Sequence, residues 1–357
     1  MYVYTGSYTD HKVDGHVSGE GIYRFDLERE SGKLSDLQLV ATAPNPNFVL
    51  LSQDRTRLYA AAEAGLSGEP VDSSVILYDV DSHTGELTFR AEEKIGISGP
   101  CHLSLDPQER AVFVGCYTGG GAVMRPLDSS GNLRTPIRSL HSGSSVNLER
   151  QEAPHPHSAN ITADGCFLHV PDLGIDRVVT YRVGYDPEKL TRIGEVASTA
   201  GAGPRHLAFA PDSRFAYVVG EMASTIMVFR CEGNGKLTLL QTLSSLPVGF
   251  SGKKSAADVR IHPCGHVVYV SNRGHDSIAV FRVNKGSGGL DLMGHVPTGG
   301  HEPRGFNVDP SGEWLLAANE QSGSVFSFRV DGEDGMPVPS GYSISVPRPT
   351  CVAFALA

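Results

Sequence analysis

The sequence predicts an all-β protein: a seven-bladed β-propeller of four-stranded antiparallel blades, forming one domain over residues 1–357. Three observations predict it. A segment of the form Pro-x-x-apolar-x-apolar-x-Pro-Asp/Ser-x-x-apolar-x-apolar recurs about every fifty residues from Asn45 onward, and such a period marks an array of identical supersecondary units. Each copy holds four short apolar runs separated by Pro, Asp and Gly turns. The two ends of the chain carry complementary fragments of one further copy.

The clearest copies are Gly203-Pro204-Arg205-His206-Leu207-Ala208-Phe209-Ala210-Pro211-Asp212 and Glu302-Pro303-Arg304-Gly305-Phe306-Asn307-Val308-Asp309-Pro310-Ser311. Weaker ones begin at Pro46, Pro100, Pro156, Ala256 and Pro349. In the copy that starts at Gly203, strands are expected at 205–210, 215–220, 225–230 and 237–243, with Pro211-Asp212-Ser213-Arg214 and Gly233-Asn234-Gly235-Lys236 as turns. The first two runs are almost continuously apolar, as befits strands buried on both faces. No period of 3.6 persists, so few helices are expected. The copy at Pro349 supplies only a first strand, whereas the N-terminus opens on a second (Val3-Tyr4-Thr5-Gly6), a third (21–27) and a fourth (37–40). One C-terminal and three N-terminal strands therefore make the seventh blade, and their pairing removes two open sheet edges.

Composition narrows the partners. A formal net charge of -10 argues against nucleic acid or an anionic membrane surface, both of which need a basic face. No apolar stretch approaches the ~18 residues of a membrane helix, and Met1-Tyr2-Val3-Tyr4 enters a strand at once without a signal-peptide pattern. The six cysteines form no Cys-x-x-Cys pair, which points to reduced thiols in a cytoplasmic protein. Neither a metal nor a cofactor is expected, and a monomer or weak homo-oligomer is.

Aligning the copies puts scattered polar residues in shared registers. The start of the first strand reads Asn47, Cys101, His157, Arg205, Ala257, Arg304 and Thr350. The end of the second reads Glu63, Tyr117, Leu173, Glu221, Arg273 and Glu320, with Ser7 for the composite blade. In an antiparallel blade both positions open on the same mouth of the central channel. Arginines gathered there repel one another unless they pair with Glu221 or Glu320 or await an anion, for which guanidinium forks are suited. His155 and His157 lie two apart with Pro156 between; on a strand they are not expected to share one metal ion. His157 beside Glu221 suits proton transfer better, because imidazole titrates near working pH. There is no Gly-x-Ser-x-Gly elbow, phosphate loop or dinucleotide fingerprint in a strand–helix context.

The stretches Pro156-His157-Ser158-Ala159-Asn160-Ile161, Val170-Pro171-Asp172-Leu173 with Asp176-Arg177, Gly201-Ala202-Gly203-Pro204-Arg205-His206, Val219-Gly220-Glu221, Ser255-Ala256-Ala257-Asp258, Ser271-Asn272-Arg273 and Pro303-Arg304-Gly305-Phe306-Asn307-Val308-Asp309 resemble the seven-bladed propeller lactonases. The resemblance is strongest to the bacterial propeller-type 6-phosphogluconolactonases; the fungal carboxy-muconate lactonising enzymes are similar too. It implies hydrolysis of a small anionic sugar lactone in the pentose phosphate pathway, with His157, Arg205, Glu221 and Arg273 as catalytic residues. It further implies that Arg304, with Arg177 or His206, holds a phosphate and that Glu320 also faces substrate. Closure of a muconate-type lactone is the alternative chemistry. A non-catalytic scaffold is the other, although the single tryptophan, Trp314, is followed by Leu315 and no Trp-Asp signature occurs.

Overall fold

The structure, a computed structural model, describes residues 1–10, 17–63 and 73–355. Seven sheets of four antiparallel strands surround one channel. Blades 1 to 6 occupy 46–94, 100–140, 160–197, 204–244, 255–297 and 303–345, and blade 7 combines Ala353–Phe354 with Tyr2–Gly6, Gly21–Leu27 and Leu34–Thr42. The complementary ends pair as expected, Val3 with Phe354 and Tyr4 with Ala353. Among the described residues no helix is long and apolar enough to cross a membrane.

Position in the blade dictates composition. Second strands such as Phe215–Gly220 and Trp314–Asn319 are buried throughout. The outermost strands, such as Leu237–Ser244, alternate between covered and exposed residues, because one face looks outward. Neighbouring blades are joined by buried hydroxyls at a repeated position: Tyr4 donates to Gly85 O (2.8 Å), Tyr217 to Gly288 O (3.2 Å) and Tyr269 to Gly335 O (2.7 Å). Between blades 6 and 7 the Trp314 indole takes over, donating to Arg29 O at 2.8 Å. Contact between blades is close: a Cβ on Gly6 would fall 1.7 Å from Pro46 O, so only glycine fits there.

One irregularity matters for the channel. At the start of the first strand in blades 1, 2, 4, 5 and 6 the ladder carries one extra residue, as between Pro204 and Leu207 or Pro303 and Gly305. Such a bulge re-aims side chains. It explains why the adjacent Arg205 and His206 both enter the channel contact network instead of facing opposite ways.

Phe354 is buried in the core shared by blades 6 and 7. Phe354→Ala is expected to cost about 3–5 kcal/mol in urea unfolding, whereas Leu239→Ala, on an exposed outer position, should change stability by less than about 0.5 kcal/mol.

Candidate active site

The upper mouth, where first strands begin, centres on Glu221. Its carboxylate forms ion pairs with Arg205 Nε at 3.0 Å, out of line for a hydrogen bond, and with Arg273 at 3.1 Å on one oxygen, and accepts a hydrogen bond from Arg150 at 2.8 Å on the other. The Glu221 and Arg205 side chains are 6% and 2% exposed, against 46% for Arg150. Burial by itself would raise the Glu221 pKa, but Arg273, Arg205, His157 and Arg150 outweigh it and hold the carboxyl far below the usual range. In Arg205 burial prevails: desolvation and the neighbouring Arg273 bring its pKa down to about 10.

A second carboxylate, Glu320, accepts Arg348 at 2.8 Å and lies 3.8 Å from Arg304. Both guanidiniums sit 5.0 Å from the ring centre of Tyr8, one contact each. Glu63 is the third. Among the described residues its carboxylate accepts from Asn47 Nδ2 at 2.9 Å, and burial raises its pKa in spite of Arg304. Among the described residues, these five guanidiniums face these three carboxylates at this mouth.

His157 is buried at the same mouth, with its ring edge-on to Tyr117 and His206 at 5.3 and 5.4 Å. Its Nδ1 has no hydrogen-bond partner among the described residues. His206 differs. Its Nε2 accepts from Arg205 at 3.2 Å and its Nδ1 faces Asp258 at 2.8 Å. Because arginine can only donate, the ring must carry its proton on Nδ1 and is neutral. No group of three His, Cys, Asp or Glu among the described residues is arranged to hold a metal ion.

Seven of the eight residues singled out in the sequence therefore meet here: His157, Arg205, Glu221, Arg273, Arg304, His206 and Glu320. Arg177 does not. Its guanidinium lies 3.5 Å from Glu195 on the outer strand and donates to Ile175 and Asp176 carbonyls. Its neighbour Asp176 is the structural element of that motif, accepting the backbone N–H groups of Gly201 and Gly203 just before Arg205. In the composite blade, Tyr8 rather than Ser7 shares the Glu221 register, since Tyr8 N bonds Arg348 O as Glu221 N bonds Gly203 O. Sequence comparison also missed two arginines. Arg150 stands in a loop without counterpart in other blades, where Asn147 Oδ1 accepts the N–H groups of Glu149 and Arg150. Arg348 precedes the repeat proline, a position the register lists left out; it holds φ 42°, and Asn45, Gly203 and Glu302 share that left-handed backbone.

The family model described as lactonase, 7-bladed beta-propeller, matches residues 2–354. The chain belongs to that family. A 6-phosphogluconolactonase of Bacillus subtilis is 36% identical over 353 residues, covering 98% of this chain and 97% of the relative. One of Formosa agariphila, also described as a 6-phosphogluconolactonase, is 31% identical and covers 93% of each chain. Among solved structures, the periplasmic gluconolactonase of Pseudomonas aeruginosa superposes with a TM-score of 0.92 at 30% identity over 99% of both chains.

Two measurements probe this electrostatic arrangement. Glu221→Gln leaves two largely buried guanidiniums, Arg205 and Arg273, and the half-exposed Arg150 without their shared anion and is expected to destabilise the fold by about 3–5 kcal/mol in chemical denaturation. The second concerns three channel histidines. Burial, then neighbouring arginines, lower the pKa of His157 and His206 well below the usual value and that of His102 to about 3. The unfolded chain protonates each near pH ~6.5, whereas the folded chain does not, so the unfolded state binds more protons below that pH. Stability should then fall with decreasing pH, by up to about 1.4 kcal/mol per pH unit and histidine; Glu63, with its raised pKa, works in the opposite sense with one proton against three. Thermal melts between pH 7.5 and 5 should show this slope, to which His169, brought down to about 4 by burial, adds a fourth share, and His102→Asn should flatten it by about one quarter.

Proposed function

We propose that this lactonase hydrolyses a small anionic sugar lactone, specifically 6-phospho-D-glucono-1,5-lactone to 6-phosphogluconate. The observation that carries the reading is one buried carboxylate shared by three guanidiniums beside an unpartnered, buried imidazole nitrogen. Family membership and the described activity of relatives support it.

In this reading a water attacks the lactone carbonyl carbon and passes a proton to His157 Nδ1. The carbonyl oxygen becomes an oxyanion against Arg205 and Arg273, which Glu221 and His206 hold in place. The bond from this carbon to the ring oxygen then breaks, and His157 returns the proton to the departing oxygen as it becomes a hydroxyl. The new carboxyl group ionises into solvent. Glu221 positions the clamp and is a poor base, because three cations lower its proton affinity. Burial lowers that of His157 as well, but leaves its ring neutral with Nδ1 facing no partner among the described residues, so it accepts the proton only as the oxyanion forms. Glu63, desolvated and raised in pKa, is the second group suited to exchange a proton. Arg304 and Arg348, backed by Glu320, take the phosphate, a role that the sequence reading gave partly to Arg177.

The periplasmic gluconolactonase relative favours a second reading, an unphosphorylated gluconolactone as substrate. All six cysteines are free, which supports the reducing interior of the cell as the working compartment.

Lactone opening can be followed by pH indicator after subtraction of the spontaneous rate. Arg273→Ala is expected to lower kcat about 10²–10³-fold; an unchanged rate would remove it from the oxyanion role. Arg304→Ala should raise KM for the phosphorylated lactone by about tenfold or more, with little change for gluconolactone. Equal effects on both substrates would favour the unphosphorylated reading.

A further inference from the structure

Two residues past the proline that opens the first strand, the channel narrows to a waist of rings. Phe48 lies 4.5 Å from His102 and 6.4 Å from His206, and the two histidines are 5.2 Å apart, centre to centre. Below this waist the opposite mouth opens into a separate cavity of ≈ 420 Å³. That is within the range of about 300–1,000 Å³ found for small-molecule sites.

Its lining has an unusual charge. Ser104, Asn160, Arg260 and Asn307, all from one register of the first strands, face it together with Gln53 and Arg55 from the turn of blade 1. Among the described lining residues there are two arginines and no carboxylate, in a protein of net charge -10. Arg260 rests one side of its guanidinium on Asp258, at 3.0 and 3.2 Å. Arg55 has no such support among the described residues: its Nε is buried without a hydrogen-bond partner among them, and so is Ser104 Oγ. A buried donor left unpaired costs free energy, so its persistence calls for an explanation.

The backbone sharpens the point. Arg55 sits at the left-handed position of its turn, φ 62°, with its N–H donating to Ser52 O. The same bond in the other blades is made by Glu109, Gly165, Ser213, Gly265 and Gly312. Three of the five are glycines, the residue that this conformation favours. Blade 1 instead places a long cation there, against local preference, with its donor turned to no partner.

We infer that the lower mouth is a second anion-binding site, in which Arg55, Arg260 and Ser104 receive a small carboxylate or phosphate anion. The ring waist separates it from the upper mouth, and it does not rest on the lactonase reading.

Titration calorimetry of the full chain with inorganic phosphate and, separately, with succinate tests this and distinguishes the two chemistries. Arg304→Ala is used as background to weaken the upper mouth. Adding Arg55→Gly, the residue three other blades carry at this turn, should weaken the remaining binding of one or both probes about ten- to hundredfold. Crystals soaked in the preferred probe should show it between Arg55 and Arg260. Arg55→Gly alone should leave the folding and the lactone-hydrolysis rate without added anion unchanged. Unaltered affinity for both probes after Arg55→Gly, or an anion only at the upper mouth, would overturn the inference. The binding readout stands whether or not any lactone is hydrolysed.

Discussion

The pairing of the two chain ends is the constraint on which the rest depends. Inner strands of every blade are buried on both faces, so each blade is stable only with a neighbour on either side. Val3 and Tyr4 bonding to Phe354 and Ala353 supply the last neighbour. The same junction builds half of the upper mouth. The bridge from Ser7 to Pro349 and the bond from Tyr8 N to Arg348 O bring the Tyr8 ring against Arg304 and Arg348. Ring closure and site assembly are therefore one event.

Charge at the mouth follows from burial acting against proximity. Glu221, Glu320 and Glu63 are all substantially covered, yet they do not behave alike. Glu221 has three guanidiniums within 3.1 Å and stays ionised. Glu63 has an amide and a more distant arginine, so desolvation wins and its pKa rises. Two carboxyl groups with opposite shifts thus share one opening; in the proposed reaction one fixes cations in place and the other is suited to exchange a proton. Cations fixed in advance need no reorganisation when an oxyanion forms.

How far the site was legible depends on whether a residue belongs to the repeat. His157, Arg205, Glu221, Arg273, Arg304 and Glu320 occupy repeated positions, so copy-to-copy alignment placed them at one mouth. Arg150 belongs to a loop found in one blade only, and nothing in its spacing points inward. Arg177 matched a family motif in sequence, but its side chain runs to the outer strand while Asp176 does the structural work. The slip from Tyr8 to Ser7 arose where the blade is stitched from two distant segments and no continuous turn fixes the count.

By itself the sequence determined the blade number, the closure of the ring and, outside the composite blade, the mouth at which the repeated polar side chains would stand. These follow from alternation and from turn residues, which are local. Tertiary structure alone decided the ionisation of each buried group, the convergence of Arg150 and Arg348 on carboxylates from other blades, and the bulges that turn Arg205 and His206 into one channel. Those outcomes depend on distances of about 3 Å between residues far apart in the chain and on the water excluded around them. No local pattern encodes either quantity.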